Sequence, residues 1–305
     1  MTERLPLILD VDTGIDDALA LAFAVCSADV ELVAVTTLAG NVDVERTTAN
    51  TLRVLDWLEA SSVPVHRGAS RPLVRPHHGA TYFHDNDGLG QAALPASSRP
   101  IGPDRGPAAM VRLATARPGE ITLVCLGPLT NLAIALNVEP SLMRLLRGVV
   151  VMGGAFTVAG NVTPSAEFNV YADPEAAAQV FSASFARLTA VGLDVTHETA
   201  LTRSTWEGAA SDPGAERAAQ LVAAVCRRAF TERGLDAIYL HDPLAVAVAL
   251  DPSLITHQPA AVDVSDSDED RGMTRILGPG AVEVAATLDV ERFHHRFYER
   301  LGLSR

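Results

Sequence analysis

The stretch Leu9 to Ala20 reads Leu-Asp-Val-Asp-Thr-Gly-Ile-Asp-Asp-Ala-Leu-Ala, and it places four carboxylates, Asp10, Asp12, Asp16 and Asp17, within eight positions. Carboxylates this close repel one another, and burying them unpaired costs several kcal/mol or more. A hard cation with oxygen ligands removes the conflict. The plainer reading is a solvated acidic turn that caps a helix. Asp16 or Asp17 alone fits that reading, since Asp favours helix N-termini. Asp10 and Asp12 fit it less well: they end an apolar run, and their alternation sends both side chains to one face of a strand.

The same pattern of polar residues after apolar runs recurs. Asn41 follows Ala39-Gly40; Asn161, Glu167 and Asn169 lie in a polar loop; His241 and Asp242 precede Pro243 at a helix start. These are carboxylates and neutral hydrogen-bonding groups, the types that grip sugar hydroxyls, with no basic cradle for a phosphate. Taken singly, each has a structural use. The asparagines form turns, Asp242 caps a helix, and a lone histidine is usually a hydrogen-bonded structural group. Joint placement on one edge is what carries the functional reading.

The elements that must position these residues alternate between strand and helix. Leu5–Leu9, Leu32–Thr37, Val63–His66, Ile121–Leu126, Val149–Met152 and Leu188–Leu193 read as strands, the last ending at Asp194. Helical spacing marks Ala18–Val25, Val44–Leu58, Leu132–Leu136, Pro174–Phe181, Ala215–Arg233, Leu244–Leu250 and Glu291–Leu301. Residues 68–107 are rich in Pro, Gly, Arg and His with little periodicity, as expected of a functional loop or lid. Val262–Val264, Thr274–Leu277 and Val282–Leu288 read as antiparallel strands, and the acidic run Asp263 to Asp270 as a solvated hairpin tip. The expectation is an α/β fold: an open, mostly parallel, Rossmann-like sheet flanked by helices, with a small antiparallel C-terminal addition. In such sheets, ligands bind at the carboxyl ends of the strands.

The chain of 305 residues is expected to form a single domain over 1–305, with 48% apolar residues to fill its core. A net charge of −13 argues against nucleic-acid or anionic-membrane partners. There is no lysine, which excludes Schiff-base chemistry and a P-loop lysine. Cys26, Cys125 and Cys226 are widely spaced in apolar stretches, as reduced thiols of a cytoplasmic protein would be. No apolar run reaches the length of a membrane span, and no signal peptide is expected, because Met1-Thr2-Glu3-Arg4 leads directly into the first strand.

The run Asp10–Asp17, Asp-x-Asp-x-Gly-x-Asp-Asp, resembles the signature of the inosine-uridine-preferring nucleoside hydrolases. The resemblance continues through Thr37 to Asn41, His84 with Asp87-Gly88-Leu89, Gly127 to Asn131, Val151 to Gly154, Asn161 to Asn169, His241-Asp242-Pro243 and Asp289 to Phe297. It implies a tightly held Ca²⁺, a homodimer or homotetramer, and hydrolysis of a nucleoside to ribose and free base. By the resemblance, Asp12, Asp17 (bidentate) and Asp242 are the calcium carboxylates, joined by the main-chain carbonyl of Leu126. Asp16, Asn41, Asn161, Glu167 and Asn169 hold the ribose hydroxyls, and Met152 packs on the sugar. His84 and Phe168 border the base. Asp12 is the general base acting on a calcium-oriented water, and His241 is the acid that protonates the leaving base.

Two departures from the family's pattern bear on the base. His84-Asp85 stands where many relatives have His-Gly. The segment Val225 to Tyr239, which lines the base pocket in the family, carries Phe230, Arg233 and Tyr239 and matches neither the purine- nor the pyrimidine-favouring pattern. Two rival readings are weaker. A phosphotransferase of the haloacid-dehalogenase type could use Asp10-Val11-Asp12-Thr13, but the absent lysine and the Asp16-Asp17 pair speak against it. A silent sugar-binding relative would be expected to have lost Asp12 or Asp242, and both are present.

Overall fold

The fold is described from a computed structural model covering residues 4–304. Eight strands form one sheet: β1 (Leu5–Val11), β2 (Val30–Thr37), β3 (Val65–Arg67), β4 (Thr122–Cys125), β5 (Gly148–Met152), β6 (Leu188–Val191), β9 (Ile255–Val264) and β10 (Thr274–Leu288). Their order is β3-β2-β1-β4-β5-β6-β10-β9, parallel throughout except for the antiparallel pair β9/β10. β7 (Ala200–Thr202) and β8 (Ala237–Tyr239) form a separate antiparallel pair.

β1 is central, so both of its faces are covered, and Pro6 through Val11 are all buried. A strand buried on both faces reads as a continuous apolar run, as Leu7-Ile8-Leu9 does. Apolar clusters lie on both sides of the sheet. One gathers helices Ile15–Val25, Arg217–Thr231, His241–Leu250 and Val290–Leu301; the other gathers Gly106–Ala116, Thr130–Val138 and Pro174–Ser182. Helix Ile15–Val25 is buried almost all round, from Ala18 to Ala24, because it lies inside the first cluster instead of on its rim.

The chain winds outward from β1 through β2 to β3, then returns to β4 on the other flank of β1. The carboxyl ends of β1 and β4 therefore diverge at a topological switch point. Asp12, which follows β1, and Leu126, which follows β4, sit there.

Several expectations need correction. The sixth strand stops at Val191. Gly192 then starts the short helix Leu193–Thr196, where Asp194 accepts hydrogen bonds from the backbone N–H groups of Phe156 and Thr157. The C-terminal strands expected over Thr274–Leu277 and Val282–Leu288 are one long strand. Gly278-Pro279-Gly280 reads as a turn but forms a bulge, with Gly278 at φ 146° and Gly280 against the backbone of Ala260 and Ala261. Because β10 also pairs in parallel with β6, the antiparallel addition extends the main sheet. Helices Gly106–Ala116 and Arg203–Ser211 and the β7/β8 pair were not expected.

Candidate active site

The turn Asp12–Ile15 delivers the acids. Asp17 caps its own helix: its Oδ2 accepts the Gly14 N–H at 2.8 Å and its Oδ1 the Asp12 N–H at 3.2 Å. Asn41, after β2, donates its backbone N–H to Asp12 Oδ2 at 2.7 Å, and its side-chain amide reaches Asp17 Oδ2 at 3.3 Å. The Asp12 carboxylate fits between Gly40 and Gly127, where an added Cβ would lie 2.0 and 2.7 Å from its oxygens. Close approach of backbone is the reason for glycine at both positions.

From the far side, helix His241–Leu250 brings Asp242 to the same point. Asp16, Asp17 and Asp242 each present an oxygen within 4.8 Å of the other two. Burial and mutual repulsion act together here. Burial, then the Asp17 charge, pushes Asp16 up to about 7. Burial lifts Asp17 to about 6, and it raises Asp12 and Asp242 well above the usual carboxylate range, each further raised by its acidic neighbours. Oxygen-only donors under this strain match the needs of a hard divalent cation.

Beside the acids lies a cavity of about 360 Å³, lined by Asp12, Asp16, Asn41, Leu126, Met152, Asn161, Glu167, Phe168, Asn169, His84, His241 and Asp242 among others. Glu167 caps the short helix Phe168–Ala172, accepting N–H groups from Gly154, Asn169 and Val170. Asn169 donates to the Leu126 carbonyl at 2.7 Å and the Met152 carbonyl at 3.1 Å, which ties this loop to the ends of β4 and β5. Asn161 Oδ1 accepts the Phe168 N–H at 2.9 Å, closing the loop on itself.

The opposite end of the cavity is aromatic. His84 Nδ1 accepts the Ile15 N–H at 3.0 Å, which ties the 79–90 loop to the acid-bearing turn. His241 Nδ1 faces Thr196 Oγ1 at 2.8 Å. Burial pushes both imidazoles down to about 3, so both are neutral near pH 7. Tyr82, Phe83, His197, Ile238 and Tyr239 complete this end.

The structure thus gathers every expected site residue except Asp17 around one cavity, with Asp17 directly beneath it. Asp16, expected on the sugar, lines the cavity as Asp12 does, and its carboxylate also lies close to those of Asp17 and Asp242. Asp10 stays outside the site. It is fully buried, its Oδ1 held by Thr36 at 2.6 Å and Asn131 at 2.8 Å. Of the segment expected at the base, Phe230 is core and stacks on Trp206, Arg233 lies behind Phe83, and only Leu235 and Ala237–Tyr239 reach the cavity. His197 also lines the cavity; the apolar pattern runs two residues past the true end of the sixth strand at Val191 and so hides this position, and the Thr196-His197 pair just past a strand end is the signal for it.

A larger depression, about 740 Å³, lies at the amino edge of the sheet around Arg4, Glu31, Arg117 and Arg187. Arg117 and Arg187 there are paired with Glu31 and Glu283, and the depression lacks the buried carboxylates of the other edge.

Comparison with known proteins agrees with this geometry. The sequence profile of the family described as inosine-uridine preferring nucleoside hydrolase matches residues 7–295. The chain is 36% identical to the non-specific ribonucleoside hydrolase RihC of Escherichia coli, covering 99% of each chain. It is 37% identical to the probable uridine nucleosidase 2 of Arabidopsis thaliana, over 89% of this chain and 85% of that protein. Among solved structures, the plant nucleoside hydrolase PpNRh1 superposes with a TM-score of 0.92 at 34% identity, covering 98% of this chain and 99% of that one. The purine-preferring ribonucleoside hydrolase of Gardnerella vaginalis gives 0.90 at 32%, covering 97% and 98%. With a family match over residues 7–295, and relatives above 30% identity along nearly its whole length, the chain belongs to the inosine-uridine-preferring nucleoside hydrolases, enzymes that hydrolyse N-glycosyl bonds.

Proposed function

We propose that the protein is a calcium-dependent ribonucleoside hydrolase that releases ribose and free base, with Asp12 as general base and His241 as the acid toward the leaving group. The observation that carries this reading is the acidic trio placed beside a cavity whose other end is aromatic. Asp17, Asp242, Asp12 and the Leu126 carbonyl would hold the ion, and Asp16 lies close enough to share it. Bound there, Ca²⁺ supplies positive charge that orients oxygen ligands and makes water more acidic.

The residues divide the remaining work. The new bond forms between a water oxygen and C1′, and the C1′–N bond breaks with its electron pair going to the base. Asp12 accepts the water's proton; the Asn41 N–H fixes its Oδ2, so Oδ1 is the free acceptor. Asn41, Asn161, Glu167 and Asn169 fix the ribose hydroxyls, an orientation effect. Anionic carboxylates near the ring stabilise the cationic character of the transition state. His241 has Nδ1 engaged with Thr196, so Nε2 is the nitrogen left for the base. The neutral imidazole first takes up a proton from solvent; the imidazolium, a strong acid in this buried site, gives its Nε2 proton to the base and returns to neutral. Aromatic walls at the base end stack on any nucleobase, which favours purine and pyrimidine ribosides alike. The chain is read as one hydrolase domain working in the cytoplasm as a homodimer or homotetramer.

The deciding experiment is free-ribose release from a panel of purine and pyrimidine nucleosides, with and without a chelator. Release from several bases that stops on chelation and returns with Ca²⁺ is the expected result. Turnover indifferent to chelation refutes the calcium reading, and phosphate release from phosphomonoesters without ribose release refutes the whole.

A further inference from the structure

Asp85 adopts a conformation that aspartate should avoid. Its φ is 63° and its ψ 178°, a region populated almost only by glycine. A non-glycine residue persists there only where its surroundings over-determine it. The surroundings are two arginines from the end of helix Arg217–Thr231 and just beyond it. Asp85 Oδ1 lies 2.9 Å from Arg233 Nη2 and 3.2 Å from Arg228 Nη1, and its side chain is only 15% exposed. Its Oδ2 is buried with no hydrogen-bond partner, so the arginines' charge is what compensates this carboxylate. Arg233 also donates to the Phe83 carbonyl and lies over the Phe83 ring, 5.8 Å from its centroid.

These contacts join two segments that are far apart in sequence. Ala80, Tyr82, Phe83 and His84 line the cavity just before Asp85; Leu235, Ala237, Ile238 and Tyr239 line it just after Arg233. Together they make much of the aromatic end of the cavity. We propose that Asp85, through Arg228 and Arg233, is a positioning residue that latches these two walls together and so sets affinity for the nucleobase half of the substrate. This rests on the nucleoside-hydrolase reading above. The latch acts on base binding and leaves the sugar grip to other residues.

The test compares wild type with Asp85→Asn, which keeps the shape and removes the charge, and Asp85→Gly, which also relieves the backbone. Hydrogen exchange reports on amides 80–90 without any need for turnover, and kinetics report KM for nucleosides beside inhibition by free ribose, which has no base. Both variants are expected to exchange faster across 80–90 and to raise nucleoside KM by about 5- to 10-fold, in line with a two-arginine, partly screened ion pair. Inhibition by ribose should hold within about twofold, and NaCl should raise the wild-type KM more than that of either variant. A residue that served only the backbone would give the opposite result, since glycine would tighten the loop. Unchanged exchange across 80–90 overturns the proposal, as does a parallel loss of ribose and nucleoside binding. Absence of nucleoside turnover in wild type would refute the functional reading alone, with the exchange comparison still deciding whether Asp85 latches the walls.

Discussion

The Thr196 hydroxyl sits 2.8 Å from Nδ1 of His241, and Thr196 is fully buried at the end of the short helix Leu193–Thr196. Burial keeps His241 neutral, so one ring nitrogen carries a proton and the other does not. A hydroxyl that donates to Nδ1 places the resting proton on Nε2, aimed at the departing base. When the ring takes up a second proton, the same hydroxyl accepts from Nδ1–H and the imidazolium gives its Nε2 proton to the base. Thr196→Val keeps the volume and removes that control. It should slow hydrolysis of natural nucleosides at least tenfold, below the full ~10²–10⁴-fold contribution of an acid catalyst, while sparing p-nitrophenyl riboside, whose nitrophenolate leaves without protonation. Thr196→Ser should restore the wild-type ratio. Nitrogen-15 shifts of His241 report the tautomer directly, and an Nδ1–H tautomer in wild type would refute the assignment.

Asp12→Asn isolates the base. The amide still accepts from the Asn41 N–H, and the pocket between Gly40 and Gly127 still fits it. It cannot take a proton from water, so turnover should fall by about 10²–10⁴-fold or more, given that a metal-site charge is lost as well. Both nucleosides and p-nitrophenyl riboside should suffer equally, because attack of water is common to the two. Near-normal turnover would assign the base to another residue.

The acidic trio makes a prediction whose sign reverses with the ion. Without a cation, Asp16, Asp17 and Asp242 repel in a buried site, so Asp242→Asn should stabilise the metal-free protein at pH 7. With calcium, wild type should gain stability by linkage, about 2.7 kcal/mol at a hundredfold excess over Kd, and the variant should gain little. Thermal melts with chelator and with millimolar CaCl₂ give both numbers. A variant less stable than wild type in chelator would mean that the three carboxylates are already satisfied by protein groups.

The sequence reveals this acidic edge because both local rules and spacing converge there. Asp12 and Asp17 must be near one another, since they lie only five positions apart across a strand-to-helix turn. Asn41 and Asp242 could be placed only through the sheet order, which alternation of elements made legible. What stayed hidden depends on contacts between distant segments. Asp10 carries the same residue type as Asp12 but meets Thr36 and Asn131 instead of the cavity. Asp85 looks like an ordinary loop acid until Arg228 of helix Arg217–Thr231 and Arg233 just beyond it meet its carboxylate. The bulge at Gly278-Pro279-Gly280 carries the composition of a turn, and only pairing with β9 keeps the strand running through it.

Helix His241–Leu250 is held at both ends, and its far end gives a prediction about pH. Asp251, at its C-terminus, pairs with Arg292 and Arg296 of the C-terminal helix and accepts the Ser253 hydroxyl at 2.6 Å. Burial alone would raise this carboxyl, but the Ser253 hydrogen bonds and the two guanidinium groups outweigh it and hold the group below its ordinary 3.8. A carboxyl with a depressed native value contributes stability above its unfolded value and loses it as pH falls through the native one. The clamp is therefore complete at pH 7 and dissolves below about pH 4. Asp251→Asn should cost about 1–2 kcal/mol at pH 7, the range for charge-assisted hydrogen bonds at a partly exposed site. Urea midpoints of wild type and variant should differ clearly at pH 7 and draw together as pH falls through the depressed native value of Asp251. A gap that stays constant or widens throughout acid titration would show that Asp251 acts through packing or its backbone turn instead of its charge.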